Sequence, residues 1–200
     1  MEDSYLTIEG TSEGLYKEKG SKFLAFAYRV RSEEEVREIV QGLRKTYYDA
    51  RHWCYAYILG ADKKKFRAND DGEPGNSAGA PILGQIRSKE LTDTLVVVVR
   101  YFGGTKLGVS GLINAYKTSA AEALEEADII EEFLMKTIKV TFEYPLMNEV
   151  MKVGKTFDLD FGKQTFDTEC HIEFMVREKL FDQVFAKLDD IDGVRVNILS

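Results

Sequence analysis

The amino-acid sequence predicts an α+β protein of two domains, residues 1–133 and 134–200. Three observations carry this expectation. Strand-like alternation is interleaved with helical periodicity along the chain. Two glycine-rich stretches, Asn69 to Pro81 and Phe102 to Gly108, interrupt the first two-thirds. The pattern then changes style near Glu132 to Leu134, which places the domain boundary there.

The elements follow in order. Lys22 to Val30 alternates and is rich in aromatic and β-branched residues, as a half-buried strand requires. Ser32 and Glu35 form a capping box ahead of a helix whose apolar face is Val36, Ile39, Val40, Leu43 and Tyr47. His52 to Leu59 reads as a strand, Lys63 to Lys65 as a turn and Phe66 to Ala68 as a short return strand. Asn69 to Pro81 is dense in Gly, Asp, Asn and Pro, which makes it a loop; its length marks it as a functional one. Ile82 to Ile86 is a short helix. Thr94 to Tyr101 is a nearly continuous β-branched run, the pattern of a central strand buried on both faces. A helix follows from about Gly111 to Ala127. In the last third, strands at Lys136 to Tyr144, Phe161 to Phe166, Glu169 to Val176 and Arg195 to Leu199 enclose helices at Pro145 to Phe157 and Lys179 to Leu188. That order, βαββαβ, is the ferredoxin-like motif.

Composition narrows the function classes. Of the 200 residues, 44% are hydrophobic and 12% aromatic, enough for packed cores. No purely apolar run, Leu95 to Val99 included, is nearly long enough to span a bilayer. The acidic start, Met1-Glu2-Asp3-Ser4, has no apolar signal core. Cys54 and Cys170 are the only cysteines, too few for a disulfide scaffold. The expectation is a cytoplasmic protein with reduced thiols and no membrane partner. Net charge is −7, with 18 Lys and Arg against 22 Asp and Glu in residues 1–135 and 9 against 12 in residues 136–200. Neither part carries the overall basic charge of a strong nucleic-acid binder. The best local basic patch is Lys63, Lys64, Lys65 and Arg67, which equally fits a solvated hairpin tip.

The motifs have two readings each. Arg100-Tyr101-Phe102-Gly103-Gly104 through Lys106 and Gly108 joins a strand to a helix. Its glycines allow close approach to a ligand, and the helix start can hold a phosphate; a tight connection is the alternative. Asp70, Asp71 and Glu73 can bind a divalent cation, pair with Arg100 or cap their own turns. His52 and Cys54 share one face of their strand, but nothing supplies an oxyanion site or a full set of metal ligands. Core packing for Cys54 and a polar contact for His52 are the expectation. Cys170 and His171 point to opposite faces.

Four motifs in order closely resemble the IMPACT/YigZ family: Gly20-Ser21-Lys22-Phe23, H-x-C-x-A-Y (His52 to Tyr57), D-D-G-E-P-x-x-S-A-G-x-P (Asp70 to Pro81) and V-V-V-R-Y-F-G-G-x-x-L-G-x-x-G-L-x-x-A-Y (Val97 to Tyr116). The resemblance implies a first domain of the fold shared by RNase PH, a second domain of ribosomal protein S-five and an elongation factor G domain. It implies a ferredoxin-like second domain similar to another elongation factor G domain. It also implies a link to translation, since eukaryotic relatives regulate it by binding the activator of an amino-acid-starvation kinase. Three positions depart from the family pattern: Asn76 and Ser110 replace small residues or glycine, and Asn114 replaces an arginine.

Three function classes follow. The first is a non-catalytic binding protein contacting structured RNA, the ribosome or a translation factor. The second is a metal-assisted enzyme acting on a phosphorylated or nucleotide substrate. The third is a regulator acting through protein contacts alone. The binding residues expected are His52, Asp70, Asp71, Glu73, Arg100, Tyr101, Gly103, Gly104, Lys106 and Gly108. No catalytic residue, resident metal or cofactor is expected.

Overall fold

The computed structural model describes residues 3–200. It divides into two compact units, Tyr5–Glu132 and Phe133–Ser200, the latter including Asp3 and Ser4. The chain is a mixed α+β protein.

The first unit is built on a five-stranded antiparallel sheet. Its strands are β2 (Thr11–Glu18), β3 (Ser21–Arg29), β4 (His52–Leu59), β5 (Lys65–Asn69) and β6 (Thr94–Tyr101), after β1 (Ser4–Glu9). The spatial order is β2-β3-β6-β4-β5, which puts β6 at the centre. Alternation then sends Val96 and Val98 to one core and Leu95, Val97 and Val99 to the other. A continuous apolar run is usual in parallel sheets. Here it serves an antiparallel one because helices cover both faces. On one side lie α2 (Gly79–Ser88) and α3 (Gly108–Glu125); on the other lies α1 (Glu33–Thr46). β7 (Asp128–Phe133) pairs with β1 in a separate two-stranded sheet.

Helix α1 forms for the reasons its sequence states. The Ser32 side chain accepts from the Glu35 N–H at 3.2 Å. Glu33, Glu34 and Glu35 occupy the first turn and Arg44 and Lys45 the last, matching the helix dipole. One detail departs from the expected box: the Glu35 carboxylate accepts from the Arg31 N–H at 2.8 Å, one residue before the cap. Val36, Val40 and Leu43 are buried.

Other bounds also differ. Helix α2 begins at Gly79, so the irregular loop ends at residue 78. Pro81 falls in the first turn of α2, where a missing N–H costs no helical bond. Helix α3 begins at Gly108, three residues earlier than expected. Strands β1, β2 and β7 were not expected. β2 lies at the sheet edge and alternates only in exposure, burying Ser12, Gly14 and Tyr16 partly while exposing Leu15 and Lys17.

In the second unit β8 (Met135–Glu143), α4 (Met147–Thr156), β9 (Asp160–Phe166), β10 (Glu169–Arg177), α5 (Phe181–Asp189) and β11 (Arg195–Ile198) follow one another as βαββαβ. The antiparallel sheet has the order β11-β8-β10-β9. Single 3₁₀ turns, Tyr144–Leu146 and Glu178–Leu180, lead into the two helices. Val140, Phe142, Ile172 and Phe174 from the strands meet Val150, Val184 and Leu188 from the helices in one core. Among the described residues no helix is long and apolar enough to cross a membrane.

Candidate functional site

The residue pairing of β4 with β6 sets His52 opposite Arg100 and Cys54 opposite Val98. All four face the α2–α3 side of the sheet, with β6 ending at Arg100 and Tyr101. The loop of residues 70–78 lies over them and its three carboxylates diverge. Asp70 accepts from the N–H groups of Asn76, Ala78 and Gly79 at 2.8, 3.1 and 2.8 Å. It therefore caps α2 from nine residues away, where Ala78 at the helix start supplies no side-chain acceptor. Asp71 accepts from the Arg44 guanidinium at 2.5 Å and from the Trp53 N–H at 2.7 Å. Glu73 takes the buried position: Arg100 Nη1 donates to its Oε1 at 2.5 Å and the Tyr116 hydroxyl at 2.6 Å.

His52 joins this loop without a catalytic partner. Its Nδ1 lies 2.8 Å from the Asp71 carbonyl oxygen, and its Nε2 lies 3.8 Å from Glu73 Oε2. The Cys54 thiol is fully buried, 3.0 Å from the Asp70 carbonyl and 3.3 Å from the Tyr116 hydroxyl. Burial pushes this thiol far above its ordinary range, with the Glu73, Asp71 and Asp70 carboxylates adding to it; the Tyr116 hydrogen bond opposes this only in part. Burial likewise raises the Tyr116 phenol. The arrangement stabilises a neutral thiol and a neutral phenol, so Cys54 is not a thiolate nucleophile. Among the described residues no three His, Cys, Asp or Glu side chains converge as metal ligands.

The glycine-rich turn makes one close approach within the protein. A Cβ on Gly103 would meet Gly20 C at 2.1 Å and Ser21 N at 2.2 Å. The close approach that requires glycine there is to the β2–β3 connection, and the Gly103 N–H donates to Ser21 Oγ at 3.0 Å. Gly104 and Gly108 have φ of +88° and +73° with open space around them. Tyr101 turns to the opposite face from Arg100, packs against the α1 core and donates to Asp49 at 2.8 Å. Burial of the ring, then that hydrogen bond, raises its phenol to about 12.

Arg100, Lys106 and Gly108 do come together. With Glu73, Phe102 and Val109 they line a cavity of about 360 Å³. The Arg100 guanidinium lies between two rings, 5.6 Å from the centre of Phe23 and 5.7 Å from that of Phe102. On the other side of Phe102 a second groove, of about 450 Å³, is lined by Leu15, Lys17, Lys22, Leu24 and Tyr101. Lys17 and its groove were missed because β2 was not read as a strand; the alternation of Leu15 and Lys17 against Tyr16 is the signal that marks them.

Two of the four cations of the expected basic patch pair with carboxylates. Lys63 Nζ donates to the Glu90 carbonyl at 2.6 Å, Lys65 sits 2.9 Å from Glu33 and Lys64 3.6 Å from Asp62. Lys65 and Arg67 lie on β5, at the sheet edge opposite β2. Four strand spacings, about 19 Å, separate the edges, so the patch and the Phe102 grooves are distinct surfaces.

Comparison with known proteins bears on this region directly. Residues 19–124 match the family model of the Impact N-terminal domain. The IMPACT family member YvyE of Bacillus subtilis (strain 168) is 37% identical over 179 residues, 90% of this chain and 82% of the relative. An IMPACT family member of Thermus thermophilus is 42% identical over 125 residues, 62% of this chain and 65% of the relative. A crystal structure of a hypothetical protein superposes with a TM-score of 0.74 at 24% identity, covering 100% of this chain and 99% of that one, a likeness of fold.

Proposed function

Because the chain belongs to the IMPACT family, we propose that it is a non-catalytic binding protein that acts in translation by docking on structured RNA, chiefly that of the ribosome. One observation carries this reading. In a chain of net charge −7, Lys17 and Lys22 line one groove beside the half-exposed ring of Phe102 and Lys106 lines the other, where Arg100 is already paired with Glu73. Cations that meet phosphates beside a ring that meets a base are the two elements of single-strand and loop recognition. The acidic remainder of the surface restricts such contact to this face and opposes non-specific binding.

The loop chemistry supports binding over catalysis. Asp70, Asp71 and Glu73 are each engaged by protein donors, and Cys54 is held neutral. We read the first unit as the fold shared by RNase PH and the ribosomal protein S-five second domain. We read the second as ferredoxin-like, from its strand order β11-β8-β10-β9. Those likenesses agree with a partner in the translation apparatus. Gradient co-sedimentation with ribosomes at low and high salt tests the reading. Association at low salt that weakens steeply as salt rises supports it; absence of association at low salt contradicts it.

A further inference from the structure

Strand register sets two lysines directly against each other. β2 and β3 are joined by the turn Lys19-Gly20, whose φ angles of +47° and +80° suit a tight hairpin. Counting from the closing pair, Glu18 with Ser21, Lys17 falls opposite Lys22 at a non-hydrogen-bonded position, where side chains lie closest. Both are exposed and both line the groove of about 450 Å³ beside Phe102. Like charges directly opposite in a sheet destabilise it. Neither lysine forms an ion pair among the described residues. The adjoining Glu18 offers no remedy: alternation turns it to the other face, where it accepts from the Tyr16 hydroxyl at 2.8 Å. An oxyanion between the two ammonium groups removes the repulsion.

The rest of the groove is apolar and fixed. Leu24 lines it beside Leu15, which is 44% exposed. Tyr101 stands across from Lys22 in the register, its hydroxyl engaged by Asp49 at 2.8 Å. Phe102, also 44% exposed, forms the wall. Its place is set by Gly103, which packs on the Gly20 backbone and donates to Ser21 at 3.0 Å. A leucine and a ring left open beside an unpaired pair of cations complement a group that is anionic at one end and flat and apolar at the other.

We infer that Lys17 and Lys22 together grip one phosphate of an unpaired nucleotide, whose base lies over Leu15 and stacks on Phe102. The inference deepens the docking reading and rests on it for RNA as the source of the phosphate. A splayed loop nucleotide can enter such a groove; a duplex keeps its bases stacked inside and cannot.

Fluorescence anisotropy on the full chain tests it, with a short single-stranded oligoribonucleotide and the same strand in a duplex as probes. Inorganic phosphate and an acidic peptide of equal charge are the competitors. Lys17→Met and Lys22→Met are each expected to weaken single-strand binding about fivefold and to lower its salt slope by about 0.7. Each should also melt about 1–3 °C above the parent at low salt and level with it at high salt, because each relieves the repulsion. A merely solvated lysine would not couple weaker binding to greater stability. Phe102→Ala is expected to weaken binding about tenfold with the salt slope unchanged. Unchanged affinity in both lysine variants, or a melting temperature no higher in either, overturns the inference. So does a duplex bound as tightly as the single strand, or competition by phosphate or the acidic peptide as potent as by unlabelled RNA. Ribosome association that survives both lysine variants overturns the subsite and leaves the docking reading standing. Oligoribonucleotide binding with every expected variant effect, but no ribosome association, keeps the subsite and removes the ribosome.

Discussion

Arg100 Nη1 lies 2.5 Å from Glu73 Oε1, and both side chains are more than nine-tenths buried, at 7% and 4% exposure. This pair fastens the loop of residues 70–78 to the end of the central strand. The Tyr116 hydroxyl shares the same carboxylate oxygen and so ties α3 to both. A buried pair of this kind contributes little over an apolar substitute, but removing one member strands the other. Arg100→Ala is therefore expected to destabilise the first unit by about 3–5 kcal/mol, measured by urea denaturation. Lys106→Ala, outside the pair, is expected to stay within about 0.5 kcal/mol of the parent. Parent-like stability in Arg100→Ala would show that the pair does not fasten the loop.

Gly103 tests the turn. Its packing against Gly20 leaves no volume for a methyl group. Gly103→Ala is expected to cost about 1–3 kcal/mol through displaced backbone. Gly103→Ala with unaltered stability and fold would show that the turn is loose.

Alkaline pH tests the buried network. The ordinary thiol value is 9.0, and burial raises that of Cys54 well beyond it. Above 9.0 the unfolded chain releases this proton while the native protein keeps it. Stability is therefore full below that value and falls as pH rises through it. Tyr57 and Tyr101, each raised from 10.0 to about 12, add to the loss above 10.0. The urea midpoint is expected to be lower at about pH 10 than at about pH 8. Native Cys54 should also resist iodoacetamide at neutral pH until the protein unfolds. Rapid alkylation under native conditions would contradict the burial argument.

Charge reversal tests which surface docks. Lys17→Glu with Lys22→Glu is expected to reduce ribosome association and its salt dependence together. Reversal of Lys63 and Lys64, at the opposite sheet edge, is expected to leave both unchanged. The opposite ranking would move the docking face to the β4–β5 hairpin.

How much of this was legible in the sequence differs by element. The β6 run and the α1 cap with its apolar stripe were readable because their signals are local. So was the alternating strand and helix order of the last third. Strand β2 was not, because an edge strand buries half its side chains only weakly and Gly14 interrupts the pattern. The site divides the same way. Arg100 ends a strand buried on both faces, which calls for a carboxylate, but only the fold selects Glu73 over Asp70 and Asp71. Asp70 caps a helix that starts nine residues later, a relation without a local signature. Tyr101 lies on the opposite face from Arg100, in the second groove, because the residues of one motif alternate across the sheet. The Phe102 grooves join β2, β3 and the turn after β6, segments far apart in sequence.

The central claim is that this protein docks on RNA in the translation apparatus through the face around Phe102. Affinity capture of the full chain from cell extract, with and without ribonuclease, tests it most directly. Recovery of ribosomal components that is lost on ribonuclease treatment, and lost again in the Lys17→Glu, Lys22→Glu variant, is the predicted result. A single protein partner retained at equal yield after ribonuclease treatment would contradict it and establish regulation through protein contacts.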